Sequence, residues 1–184
     1  MRIGEHNVPL GVGALRELVE EVAAEPAAWA HLVRHDPHQR VFERIVDEPD
    51  VEGWLICWMP GHDTGFHDHD LSSGAVTVVA GSVLEERLGI GVTASNVYAQ
   101  GETFDFTASE IHRVVHTGAQ PTVTLHAYSP RLRRLGAYAV TPGGALQRHP
   151  LGYGEELRPV GATAGIPAGR RAAAGSPTPR GTRS

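Results

Sequence analysis

The sequence predicts a single, mainly β domain: a small barrel or jelly roll, preceded by helices and followed by a disordered tail. Its 184 residues suffice for one ordinary core and are too few for two comfortable ones. From about residue 39 the hydrophobic period is two. Glycine-rich or polar turns interrupt that pattern at the regular intervals of an antiparallel sandwich or barrel.

Taken in order, residues 9–35 read as helical. Leu10, Ala14, Leu18 and Val22 recur at helical spacing, and Ala27, Ala30 and Leu32 continue the pattern after a break at Pro26. An N-terminal segment, 1–38, is therefore expected to pack on a β domain spanning 39–155. Val41, Phe42, Ile45 and Val46 form a short strand ending at the turn-like 47–50, and 54–58 form a strand buried on both faces. Further short strands are expected at 65–70, 74–80, 82–88, 96–99, 103–107, 111–116 and 121–128. Glu85, Glu86 and Arg87 read as a solvated strand end. Residues 156–184 carry no periodicity and little apolar bulk, too little to offset their ordering entropy, so a disordered tail is expected there.

Composition narrows the function. The net charge of −5 argues against a nucleic-acid surface, and the four arginines of 160–184 make the rest of the chain more acidic still. No apolar run approaches the roughly 18 residues of a membrane span. The opening residues MRIGEHNVPLGVG lack a basic region followed by an apolar one. The single cysteine, Cys57, excludes an internal disulfide and a cysteine-rich zinc site, and its place between Ile56 and Trp58 reads as an inert core thiol. A cytoplasmic protein is expected, without nucleic-acid or membrane partners, as a monomer or weak homodimer.

Eleven histidines are the unusual count. His67-Asp68-His69 lies on an expected strand, where side chains two apart share a face, so both imidazoles can converge on one ion while Asp68 points away. His112 is the best placed third ligand. The same pattern also fits solvated imidazoles on a strand. The segment Gly61-(x5)-His67-x-His69-(x4)-Gly74-(x6)-Gly81 is similar to the first cupin motif, with Gly74 where that family's glutamate is expected. Three neutral ligands without a carboxylate would leave open positions on an octahedral ion, which suits a thiolate and dioxygen better than a closed zinc site.

Five segments in order resemble the cysteine dioxygenases: 42–47, 55–58, Gly61-His62 with 67–69, 111–114, and 124–130. That resemblance implies a cupin holding one iron(II) through His67, His69 and His112. It implies Arg44 as the substrate-carboxylate site, although Arg40 shares its face and could serve instead. It implies Tyr128 as the catalytic hydroxyl, with His126 and Thr124 orienting it, and a cis bond between Ser129 and Pro130. The animal-type cysteine that cross-links to the tyrosine has no counterpart, because Gly74 stands in its place. His62 and His116 are expected to support the site or lie at the surface.

The implied reaction is oxidation of L-cysteine, or a related small carboxylate thiol, by dioxygen to a sulfinic acid. Alternatives are another thiol such as 3-mercaptopropionate or ergothioneine, or a metal-binding cupin module without catalysis.

Overall fold

The computed structural model describes residues 8–89, 93–152 and 154–160. The helical segment comes first: α1 (Val12–Ala23), then the single turn α2 (Pro26–Trp29), continued by a 3-10 turn at Ala30–Leu32. Pro26 occupies the first position of α2, where its missing N–H costs nothing and its fixed φ suits a helix start.

Eleven strands follow among the described residues: β1 (Val41–Asp47), β2 (Glu52–Trp58), β3 (His67–Asp68), β4 (Ser73–Ala80), β5 (Ser82–Leu88), β6 (Thr93–Ala99), β7 (Thr103–Phe106), β8 (His112–His116), β9 (Thr122–Ser129), β10 (Arg134–Val140) and β11 (Leu146–Gly152). They form two antiparallel sheets, ordered β1-β2-β9-β4-β7 and β11-β10-β3-β8-β5-β6. The jelly-roll alternative is therefore the one realised, as two sheets that do not close into a continuous barrel.

The sequence pattern predicts no strand after 128, yet β10 and β11 pair along seven residues each. The signal there is weak for physical reasons. Pro150 lies within β11, which is tolerated because β11 is an edge strand, and most of β11 is exposed, so no alternation of apolar residues marks it. The peptide bond between Ser129 and Pro130 is cis, as expected.

The core sits between the sheets, where Trp58, Val76, Val78, Phe104, Phe106 and Tyr128 of the first sheet meet Val83 and Val114 of the second. The outer face of the first sheet is covered by the helical segment. Leu15 and Val19 of α1 pack on Ala75 and Ala127, while Val22, Trp29 and Val33 pack on Leu55, Cys57, Val123 and Leu125. Leu15, Leu55 and Leu125 are at most 1% exposed, and each such side chain stabilises the fold by about 1.5–3 kcal/mol relative to exposure. Covered on both faces, β9 is buried at all eight residues. Its alternation divides it cleanly: Val123, Leu125 and Ala127 face the helices, and Thr124, His126 and Tyr128 face inward.

The tail expected from 156 runs against the body as far as the described residues go. Pro159 lies close enough to Gly65 that a Cβ there would meet its Cα at 2.8 Å. Residues 161–184 fall outside the described residues, as do 1–7 of the N-terminal segment.

Candidate metal centre and active site

Three imidazoles meet on the inner face of the second sheet. His67 on β3 stands directly opposite His112 on β8, and His69 follows two residues after His67 on the same side. Ring centroids are 4.6 Å apart for His67–His112, 4.8 Å for His67–His69 and 5.2 Å for His69–His112. One nitrogen from each lies within 4.8 Å of the others, and all three side chains are buried. Burial drives each histidine towards its neutral, metal-binding form: His67 is pulled down to about 4, and His69 and His112 well below the ordinary value.

Hydrogen bonds fix which nitrogens remain. His67 Nδ1 contacts the Gly65 carbonyl at 3.1 Å, and His112 Nδ1 contacts Glu85 Oε1 at 2.9 Å, so each leaves Nε2 for an ion. His69 Nδ1 and His112 Nε2 are buried with no hydrogen-bond partner. Such atoms cost about 1–3 kcal/mol each when left unsatisfied. A shared cation would satisfy them. The residues present therefore fit a metal held by three histidines.

Glu85 corrects the sequence reading of a solvated strand end. It is 1% exposed, accepts from His112, and pairs with Arg87 Nε at 3.1 Å. Burial pushes its carboxyl up to about 7, against the pull of Arg87. Val83 and Glu85 share the inward face of β5, so strand parity was the available signal.

Asp68 turns away from the cluster, as its strand position requires. It accepts from Arg148 Nε at 2.7 Å, Arg148 Nη2 at 2.8 Å, the Tyr138 hydroxyl at 2.6 Å and the Asp70 backbone N–H at 2.9 Å. Burial would raise its pKa, but these donors outweigh it and hold the carboxyl far below the ordinary range. Its lone pairs are committed, so it anchors the two-residue strand β3. Arg148 and Tyr138 come from the unforeseen hairpin β10–β11, and Gly136 makes room for this clamp: a Cβ there would stand 2.6 Å from Asp68 Oδ2.

Gly74 lies between Tyr128 on β9 and Phe106 on β7 in one cross-strand row. A Cβ at Gly74 would fall 2.3 Å from Phe106 Cζ. The Phe106 ring in turn stacks on His69, with centroids 4.6 Å apart and planes at 20°, and packs on His112 at 4.4 Å. Aromatic bulk thus fills the space where a carboxylate or cysteine side chain at 74 would lie.

The cluster opens into a cavity of ≈ 120 Å³. Tyr128 and His126 line it beside the three histidines, with Trp54 and Trp58 among its walls. A relay runs along β9. Trp58 Nε1–H donates to Thr124 Oγ1 at 2.8 Å, Thr124 Oγ1 lies 2.8 Å from His126 Nε2, and His126 Nδ1 lies 3.0 Å from the Tyr128 hydroxyl. Indole nitrogen can only donate, so Thr124 accepts there. Its own hydrogen then has His126 Nε2 as partner, which puts the imidazole proton on Nδ1, donating to Tyr128 oxygen. The phenolic hydrogen is left to be directed into the cavity. Burial holds His126 down to about 3 and pushes the Tyr128 hydroxyl above its ordinary value, with the Glu52 charge adding to the latter. Both are neutral at pH 7.

The two arginines separate. Arg40 lines the cavity and is 7% exposed, its guanidinium 5.0 Å from the Trp58 ring. Arg44 is not among the lining residues. Its guanidinium lies 5.7 Å from the Trp54 ring and pairs with Asp47 at 3.3 Å, and its side chain is 37% exposed. Four residues along an extended strand displace a side chain by about 13 Å, which accounts for the difference on a shared face. His62 takes the Met59 backbone N–H on its Nδ1, and His116 Nε2 contacts the Gln120 carbonyl, so neither joins the cluster. Cys57 is fully buried under the helices, and burial raises its thiol pKa.

A two-sheet jelly roll carrying a buried three-histidine cluster, open to an internal cavity, defines a cupin with a candidate metal centre. The family model described as "Cysteine dioxygenase type I" matches residues 8–141, and the chain belongs to that family. Relatives include the cysteine dioxygenase type 1 of Danio rerio, 25% identical over 134 residues, and that of Homo sapiens, 23% identical over 133 residues. Each alignment covers 66% of this chain and 66% of the relative, just under two thirds of the relative's length. Among solved structures, TT1209 from Thermus thermophilus is 20% identical with a TM-score of 0.50, covering 55% of this chain and 93% of that one, and so supports the fold. A cupin superfamily protein from Desulfitobacterium hafniense is 12% identical with a TM-score of 0.49, covering 56% and 89%.

Proposed function

We propose that this protein is an iron(II)-dependent thiol dioxygenase that converts L-cysteine, or a closely related small carboxylate thiol, to its sulfinic acid. The observation that carries the reading is that three neutral, buried imidazoles share one cavity with a relayed tyrosine and a single buried arginine. His67, His69 and His112 would hold the metal, and bound iron(II) would acidify the thiol and activate dioxygen so that both oxygen atoms end on sulfur.

The chain's own side chains supply the rest. Glu85 accepts from His112 Nδ1 and so orients that ring and raises its basicity as a ligand. Phe106 fills the place of a fourth protein ligand, which leaves coordination positions for the substrate. Thr124 and His126 set the Tyr128 hydroxyl to donate towards a group beside the metal. The carboxylate role that the family resemblance gave to Arg44 falls to Arg40, whose planar fork suits a carboxylate and which alone of the two lines the cavity. Phe42, Trp54 and Trp58 give the cavity aromatic walls.

Oxygen uptake by iron-loaded protein tests the proposal, with cysteine, 3-mercaptopropionate and ergothioneine offered separately and the product identified by mass. Stoichiometric sulfinate from a carboxylate thiol is expected. No uptake with any thiol at full iron occupancy would overturn it in favour of a binding module.

A further inference from the structure

The charged side chains lining the cavity among the described residues are Arg40, Glu155 and Glu156, the imidazoles there being neutral. Both glutamates come from the segment after β11. Glu156 is tied in tightly. Its Oε1 accepts from the Arg40 backbone N–H at 3.0 Å and lies 3.4 Å from Arg40 Nε, and its Oε2 accepts from Arg158 Nε at 2.9 Å. Arg40 Nη2 also donates to the Leu157 carbonyl. Burial would raise the Glu156 carboxyl, but these donors outweigh it and hold the group ionised, with 19% of its side chain exposed. The arginine available for a substrate carboxylate therefore already carries a fixed counter-charge.

We propose that Glu156 is a specificity-determining residue: it makes the outer end of the cavity favour thiols bearing an ammonium group beside the carboxylate over thiols whose only charge there is the carboxylate. The inference rests on the reading that Arg40 receives that carboxylate. A bare anion approaching Arg40 enters the field of a like charge held on the same guanidinium, in a partly buried place where screening is weak. A zwitterion feels that field on two charges of opposite sign, so the effects largely cancel. Glu155 adds a second negative charge to the same wall.

The test is anaerobic binding of L-cysteine and of 3-mercaptopropionate to the iron-loaded full chain, with kcat/KM for each measured separately. Glu156→Gln, which keeps the shape and removes the charge, is expected to shift the ratio of affinities towards 3-mercaptopropionate, on the order of tenfold for charges a few ångströms apart near a protein surface. Glu156→Asp is expected to retain a ratio near the original. Arg158→Ala provides the opposite sign: its side chain is 58% exposed, and removing it strips a neutralising partner from Glu156 and moves the ratio further towards cysteine. Because each ratio compares two ligands on one protein, a variant of reduced stability still reports. An unchanged ratio in Glu156→Gln, or movement in the same direction in Arg158→Ala, overturns the proposal while leaving thiol oxidation standing. Failure of both thiols to bind the unaltered protein removes the functional reading and this inference with it.

Discussion

Replacing Glu85 with glutamine tests the site at its most buried contact. His112 Nδ1 and Glu85 Oε1 lie 2.9 Å apart, with side chains 2% and 0% exposed, so water cannot substitute for either partner. A hydrogen bond to a charged group contributes about 1.5–3 kcal/mol, and a neutral one about half that. At pH 8, above the carboxyl's value of about 7, glutamine keeps an acceptor in place but loses the charge, so His112 loses about 1.4 kcal/mol as a ligand, or about tenfold in metal affinity. Glu85→Ala also removes one of the two carboxylates paired with Arg87, the other being Glu110, and leaves Nδ1 without a partner, and a loss nearer a hundredfold is expected. The assay is anaerobic competition for iron(II) or cobalt(II) against a chelator of known affinity, on protein shown by thermal melting to be folded. Glu86→Gln serves as the control, because Glu86 pairs with Arg113 at 2.8 Å, away from the histidines. Unaltered affinity in Glu85→Gln, or an equal loss in Glu86→Gln, would refute the idea that a buried carboxylate tunes the metal site.

Arg40→Ala is expected to raise KM for a carboxylate thiol about 10–100-fold without changing iron content, whereas Arg44→Ala should stay within about twofold; steady-state kinetics giving the reverse order would restore the role to Arg44. Metal-free protein should lose stability on acidification. Burial depresses His67 to about 4 and His126 to about 3, so below the unfolded value of about 6.5 the unfolded chain takes up protons first, and the stability present above 6.5 drains away as pH falls towards 4 and then 3. At pH 5 that amounts to roughly 2 kcal/mol per histidine, readable as a falling urea midpoint, and a midpoint flat from pH 7.5 to 5 would contradict it. Gly74→Ala forces a methyl against Phe106 and should cost about 1–3 kcal/mol in thermal stability; an unchanged melting temperature would mean that Phe106 moves freely.

The strands carrying the site were legible because their patterns are strong. The segment 122–129 alternates polar inward residues with apolar outward ones, and His67-Asp68-His69 obeys the same period, so both lie close to where the sequence implied. The features without a sequence signal depend on partners distant in the chain. Glu85 reads like any acidic residue near a strand end until β8 is laid beside β5 with His112 paired to Arg87 in register. Arg40 and Arg44 are equivalent by parity, and only the position of the cavity, near the residue that precedes β1 and away from the middle of that strand, separates them. Asp68's clamp comes from an edge hairpin interrupted by Pro150, and Glu156 lies in a stretch with no periodicity. Absence of a hydrophobic pattern marked 156–160 as unable to form a core of its own, which is compatible with being held in place by charge.

The row Tyr128–Gly74–Phe106, which crosses β9, β4 and β7 in register, ties the chemistry of the site to the packing of the sheet. Tyr128 at one end places its hydroxyl beside the histidines, and its ring centroid is 5.1 Å from that of His69. Phe106 at the other end reaches back across the middle strand to stack on the same imidazole. Glycine at 74 lets both rings pack on His69, with their own centroids 6.2 Å apart, because any Cβ would collide with Phe106. Loss of the cupin carboxylate and loss of the tyrosine-linking cysteine are therefore one structural fact rather than two. The same aromatic contact that bars a fourth protein ligand also fixes the orientation of His69, whose Nδ1 is buried without a hydrogen-bond partner. His67 and His112 are oriented through hydrogen bonds to Gly65 and Glu85, and His69 through the faces of its neighbouring rings.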